Sequence, residues 1–292
     1  MIDVWDNVLN SFDGFANWAI GEFTFNKPVW YINYFLWLII ISGLVFGLEI
    51  LIPWRKTQKI IRKDFWKDFV YMFLNFYVFA FFLTGFFTLF SEILGAAGLK
   101  LDNLVVFNLN EIPTWAGLLV FFVVNDFVQW FTHYLLHKIP VFWTFHKVHH
   151  SVKEMGFAAH LRYHWMENVF YKPLKTLVVL LFFGVEPQIA FIVHFISIAI
   201  GHLNHANVDL NYGPLKYVFN NPKMHIWHHA KHLPENHPIG MNFGISLSVW
   251  DYIFKTAFIP GDGRDIELGF DGDERFPTTI IGQSIYPLNR KD

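Results

Sequence analysis

The chain holds 15 histidines, and all of them lie between His133 and His237. Three clusters have spacing suited to a metal ion. "HYLLH" carries His133 and His137, "HKVHH" carries His146, His149 and His150, and "HIWHH" carries His225, His228 and His229. On a helix, residues three and four apart are neighbours, so one face can offer two or three imidazole nitrogens together. Imidazoliums this close would repel, whereas neutral imidazoles can share a cation. "NNPKMHIWHH" also begins as a helix should, with Asn221 as N-cap and Pro222 in the first turn. His205 and His164 join the candidate ligands, and His202 and His160 rank below them. His194 reads as a packing residue in an apolar run, and His232 and His237 as rim residues. So many imidazoles exceed what one ion accepts, which implies two. Imidazole suits Fe, Zn, Cu and Ni. The Glu and Glu-x-x-His pattern of soluble di-iron bundles is missing, and so is the HExxH of zinc peptidases. A proton relay and a non-catalytic zinc scaffold are the alternatives. Asp126, two turns before His133, is a candidate acceptor for a ligand's second ring nitrogen.

The elements that must hold these imidazoles are membrane spans. Hydrophobic residues make up 54% of the chain and charged residues 16%, against roughly 25% charged in a soluble domain. The net charge of −2 gives no case for a nucleic-acid partner, and the absence of cysteine removes disulfides and thiolate metal sites. Residues 30–52, 69–90 and 116–137 are apolar runs long enough to cross about 30 Å of hydrocarbon. Residues 4–19 place Val4, Val8, Phe12, Phe15 and Ala19 at helical spacing, suiting an interfacial helix. With no basic stretch ahead of the first run, no cleavable signal peptide is expected. "RKTQKIIRKD", residues 55–64, holds five basic residues against Asp64. The positive-inside rule puts it in the cytoplasm. The third run then delivers His133 and His137 to that side.

Residues 174–200 are apolar but interrupted by Gly184, Glu186 and Pro187, and Pro disrupts a helix interior. Histidines cluster both before and after this run, and one site can collect both sets only if the chain re-emerges where it entered. The reading is a re-entrant hairpin with its tip near Gly184–Pro187, each half too short to span alone. The fold expected is therefore an all-α integral membrane protein, multi-pass. It has about three transmembrane helices, a re-entrant helical hairpin and a cytoplasmic helical cap carrying the histidines. It is read as one domain, 1–292: an N-terminal interfacial segment (1–28), the spans (29–137), the histidine-bearing core (138–260) and a polar tail (261–292).

These clusters resemble the histidine boxes of the fatty acid hydroxylase (sterol desaturase) superfamily. The resemblance runs from about Asp126 to Phe258, through "DFVQWFTHYLLH", "FHKVHHS", "RYHWMEN", "HANVDLNYGPLKYVFNNPKMHIWHH" and "NFGISLSVWDYIF". In "RYHWMEN", Trp165 stands where the family pattern has proline. The resemblance implies a lipid substrate, O2 and two iron ions, with zinc able to take their place in purified protein. It implies His133, His137, His146, His149, His150, His164, His205, His225, His228 and His229 as ligands. Asp126, Arg162, Asn204 and Asp251 would support them. The expected reaction is hydroxylation of an unactivated C–H bond; desaturation at the same site is the alternative within the enzyme class. A membrane metal-binding or transport protein is the alternative outside it. No haem or flavin motif is present, so a separate donor is expected: a reductase, cytochrome b5, ferredoxin or pterin.

Overall fold

The structure is a computed structural model. It describes residues 4–287 apart from 28, 30, 100–104, 173–175 and 177–182. The protein is an all-α integral membrane protein, its described residues almost free of sheet. The long helices are α1 (Val4–Phe23), α2 (Tyr34–Leu51), α3 (Phe65–Ala96) and α4 (Thr114–Lys138). The shorter α5 (Pro140–His150) follows, then α6 (Pro187–His205), α7 (Pro222–His228), α8 (Val249–Ile253) and α9 (Ile280–Ser284). Among the described residues, α2, α3, α4 and α6 are long and apolar enough to cross a membrane.

Local grammar sets the starts. The Asn33 side chain caps α2 by accepting from Leu36 N at 2.7 Å, and Asn221 caps α7 by accepting from Met224 N at 3.1 Å. Pro140, Pro187 and Pro222 each open a helix, where a missing N–H costs nothing.

Helix direction decides where the histidines meet. A two-residue parallel pairing, Phe107↔Phe183 and Asn108↔Gly184, ties the stretch before α4 to the stretch before α6. Leu109, Phe121, Ile189 and Val193 pack there as one cluster. α4 and α6 therefore start at the same end of the bundle and run parallel, and each carries histidines in its last two turns. α2 runs the same way: Tyr34 lies against Phe195, and Ser42 reaches His202. α3 runs back, from Phe65 beside Phe157 at the histidine end. α1 does not stand alone. It packs antiparallel along the far half of α3, with Asn7 bonded to Glu92, Phe12 stacked on Phe81 and Trp18 against Phe76.

The break at Gly184–Pro187 falls where expected, and the chain re-emerges at the histidine end. Its depth differs from the expectation. The tip pairs beside the start of α4, so the second arm is as deep as that span. α6 is also longer than the apolar run suggests, because the helix continues through Gly201–His205. At 19 residues and 1.5 Å per residue it is a candidate span in its own right. The first arm lies mostly outside the described residues.

Candidate metal centre

Nine imidazoles converge, and they do so as two groups. His133, His137, His146, His150 and His228 form one; His149, His205, His225 and His229 form the other. Within each group one ring nitrogen per residue lies within 4.8 Å of all the others, and every member is buried. The boxes do not each serve one ion, as a single shared helix face would imply. His146 and His150 stay together while His149 crosses to the other group; His225 and His229 stay together while His228 crosses back. Residues four apart on a helix lie nearly in line, whereas adjacent residues diverge by about 100°. Each of the two HxxHH boxes therefore presents a pair to one side and a single ring to the other, while His133 and His137 both face the five-histidine group.

Backbone carbonyls fix the rings. His133, His137 and His228 point Nδ1 at the carbonyls of Phe243, Ile239 and Met241, at 2.8, 3.0 and 2.8 Å. One strap, residues 239–243, thus holds three rings of the five-histidine group. In the other group His149 Nδ1 meets the Arg162 carbonyl at 3.2 Å, and His205 Nδ1 the carbonyl of Gly201 one turn back at 2.8 Å. Donation through Nδ1–H leaves the Nε2 lone pair facing inward.

Those lone pairs test whether metal fits. His133 Nε2 faces His146 Nε2 at 3.2 Å, and His149 Nε2 faces His205 Nε2 at 3.3 Å. In both pairs the Nδ1 atoms are directed at acceptors, His146 at Glu167 Oε2 at 3.4 Å. Two lone pairs at such distances repel unless a cation lies between them. His137 Nε2 and both nitrogens of His229 are buried without a hydrogen-bond partner among the described residues. Ligand nitrogens roughly 2.0–2.1 Å from an ion stand about 3–4 Å apart, which the groups match. The imidazole-only donor set suits iron or zinc. Burial, and then neighbouring imidazoles, hold His149, His150, His225, His228 and His229 well below the usual imidazole range. They are neutral, as ligands must be.

His164 is not brought into either group. Its Nε2 faces the Ser284 carbonyl at 3.0 Å and its Nδ1 accepts from Met166 N at 3.1 Å. The turn carrying it points away, toward α9. Asp126 takes no ring N–H either. It accepts from Ser246 N, Leu247 N and Trp250 Nε1 at 3.0–3.1 Å, tying α4 to the segment after the strap. Asp251 accepts from Phe243 N, Gly244 N, Trp130 Nε1 and Thr256 Oγ1, so it sets the strap that holds His133. Asn204 donates to the Ile245 carbonyl at 2.5 Å. Arg162 is fully buried; its carbonyl receives His149 and its guanidinium meets Asp68 at 2.5 Å and Asp64 at 3.2 Å. Asp68 also pairs with Arg62.

Asp68 and the strap carbonyls left no trace in the residue pattern, because main-chain acceptors and long-range ion pairs have no spacing signature. Glu167 did: it is the acid within "RYHWMEN". A second buried set, His160, His202 and Ser42, forms a chain with contacts of 3.0 and 3.2 Å. His160 also lies 5.1 Å, centre to centre, from the His205 ring.

An apolar cavity of about 510 Å³ runs through the bundle. Tyr34, Met72, Phe76, Phe121 and Phe191 line it, and His160 and Tyr163 stand at the histidine end. Tyr163 stacks on His149 with centroids 5.5 Å apart. One layer of rings separates the cavity from the four-histidine group.

The fatty acid hydroxylase family matches residues 118–256, a stretch containing all nine converging histidines. That stretch, just under half of the chain, is similar to the family. The chain is 30% identical over 169 residues to the ornithine lipid hydroxylase OlsE of Rhizobium tropici, covering 58% of this chain and 49% of that protein. It is 28% identical over 159 residues to human alkylglycerol monooxygenase, covering 53% and 33%, and similarly related to the Xenopus tropicalis enzyme. The chain thus spans about half or less of the length of these curated relatives. No solved structure matches it.

Proposed function

We propose that the chain is a membrane-embedded, O2-dependent di-iron monooxygenase that hydroxylates an unactivated C–H bond of a lipid. The observation that carries this reading is the pair of buried imidazole groups one ring layer from an apolar cavity. His133, His137, His146, His150 and His228 would hold one ion, and His149, His205, His225 and His229 the other. When bound, the iron pair supplies the O2 chemistry that attacks an unactivated C–H bond. Insertion of one oxygen atom consumes O2, two electrons and two protons and releases water. The electrons come from a separate donor, which the family resemblance makes a reductase, cytochrome b5, ferredoxin or pterin.

The chain's own residues do the rest. The strap carbonyls and Arg162 orient the rings before the ions arrive, so little reorganisation is needed. Burial of all nine ligands keeps water out. The cavity, of a size usual for small-molecule sites, would hold an alkyl chain with its target carbon toward His160 and Tyr163. The relatives are named for an ornithine lipid and an alkylglycerol, which supports a polar-headed lipid substrate. The basic 55–64 loop lies at the histidine end, which supports a cytoplasmic metal centre.

Lipids from cells with and without the protein, compared by mass spectrometry under 18O2, test the reading. A lipid gaining one labelled oxygen is the expected product. A lipid losing two hydrogens would indicate desaturation, and metal-loaded protein with no O2 uptake would leave only a metal scaffold.

A further inference from the structure

Away from the histidines, a cavity of about 730 Å³ opens between the turn after α2 and residues 264–268. Arg55, Lys56, Lys153 and Arg264 bring four cations to its wall. The wall also holds three acids, and two are engaged elsewhere. Asp209 pairs with Lys223 at 2.6 Å, and Glu154 accepts from Lys63 N at 2.8 Å. Asp265 remains beside Arg55, while Lys153 pairs with the buried Asp273. Arg264 also meets Asp262 at 3.6 Å; among the lining residues themselves four cations face three acids, so the wall keeps a small positive excess, with Lys56 and Arg55 its least engaged cations.

The donors are built in. Arg55 is held by its Nε, which donates to the Arg264 carbonyl at 2.6 Å, and its guanidinium lies over the Trp54 ring at 4.9 Å. Trp54 is 3% exposed and packs with Val152, Met155 and Ile226. Yet Trp54 Nε1 and Arg55 Nη2 are buried N–H groups with no acceptor among the described residues. An unmet buried donor costs about 1–3 kcal/mol, so two in one wall call for an acceptor. Both are donors only, and a cationic wall selects an anionic acceptor. Burial lowers Arg55 to about 10, so it remains charged at neutral pH. The wall begins at Pro53, two residues past the candidate span α2, the level at which headgroup phosphates of a bilayer spanned by α2 would lie. We propose that this pocket binds a phosphate group, carried by a membrane-lipid headgroup or by a soluble phosphate ester. Ile226, next to His225, packs on Trp54, so an occupant would brace the backbone of the four-histidine group.

The test uses the purified full-length chain in maltoside micelles free of phosphate, and reads thermal unfolding. Inorganic phosphate is titrated in one arm and phosphatidylglycerol in the other, against chloride at matched ionic strength. The expected result is a saturable rise of the midpoint in at least one arm. Its half-saturating concentration should climb about tenfold in Arg55→Gln, which removes the positive charge, or in Trp54→Phe, which removes the indole N–H. The phenylalanine variant keeps the packing, and comparing shifts rather than midpoints removes any loss of basal stability. A rise with phosphatidylglycerol alone assigns a lipid headgroup; a rise with phosphate alone assigns a soluble ester. No rise in either arm, or equal rises in wild type and both variants, overturns the proposal. The readout requires no turnover, so it stands or falls apart from the hydroxylase reading.

Discussion

The two histidine groups use the same residue type and are built in opposite ways. The five-histidine group is organised by one strap: carbonyls of Ile239, Met241 and Phe243 receive three rings, and Asp251 holds the strap through two backbone N–H groups. The four-histidine group has no strap. His205 is fixed by its own helix and His149 by the carbonyl of Arg162, whose guanidinium is anchored on α3 by Asp68. His229 has neither nitrogen fixed. The first group is thus gathered at the end of α4 by one loop, while the second hangs on contacts with α3. One should fail through its loop, the other through the bundle.

Removing a ligand should produce the largest effect and should not discriminate. His149→Ala and His228→Ala are each expected to take turnover to background and to leave about one bound ion per chain instead of two, by metal analysis. Retention of both ions and full activity in either variant would contradict the assignment. Asp68→Asn should discriminate. It leaves Arg162 and Arg62 short of a buried partner, a loss on the order of 3–5 kcal/mol. Denaturant unfolding should report that loss, and metal should be released first from the four-histidine group. Asp251→Asn is the mirror experiment. It should weaken metal binding by about 10–100-fold at the five-histidine group and spare the other, as a chelator competition reads it. If the two aspartate variants affected both groups equally, the groups would be one mechanical unit and the comparison would dissolve.

Acid should act more gradually. Burial depresses the pKa of His150, His225 and His228 in the folded chain, while unfolded imidazoles titrate near 6.5. Below that value the unfolded chain binds more protons than the folded one. The stability these residues contribute is therefore complete above about 6.5 and is lost as pH falls. Chelator-treated protein should show a falling unfolding midpoint from pH 7 to 5; a midpoint that rises with acid would show that the rings are not held neutral.

Much of this was legible in the residues. Uncharged apolar runs announce spans because backbone and side chains must both be satisfied in lipid. The boxes announce a metal centre because neutral imidazoles crowd together only around a cation. Pro187 announced a helix break, and Asn221 a helix start, through backbone chemistry local to each residue. His164 shows the limit: its spacing is as suggestive as that of His205, yet its turn faces the Ser284 carbonyl. Nothing within a few residues encodes which way a short irregular segment will face.

The amino-acid order by itself determined which side chains could bind metal and which segments are apolar enough to enter a membrane, since both follow from residue type and short-range periodicity. Only the tertiary structure decided how the rings are shared. It sends the neighbours His149 and His150 to different groups and makes His228 the partner of His150, at 3.1 Å. The physical reason is that a helix fixes the angle between its own side chains but not what meets them. That depends on α4 and α6 running parallel, and on the strap and Asp68 closing over the rings from far along the chain.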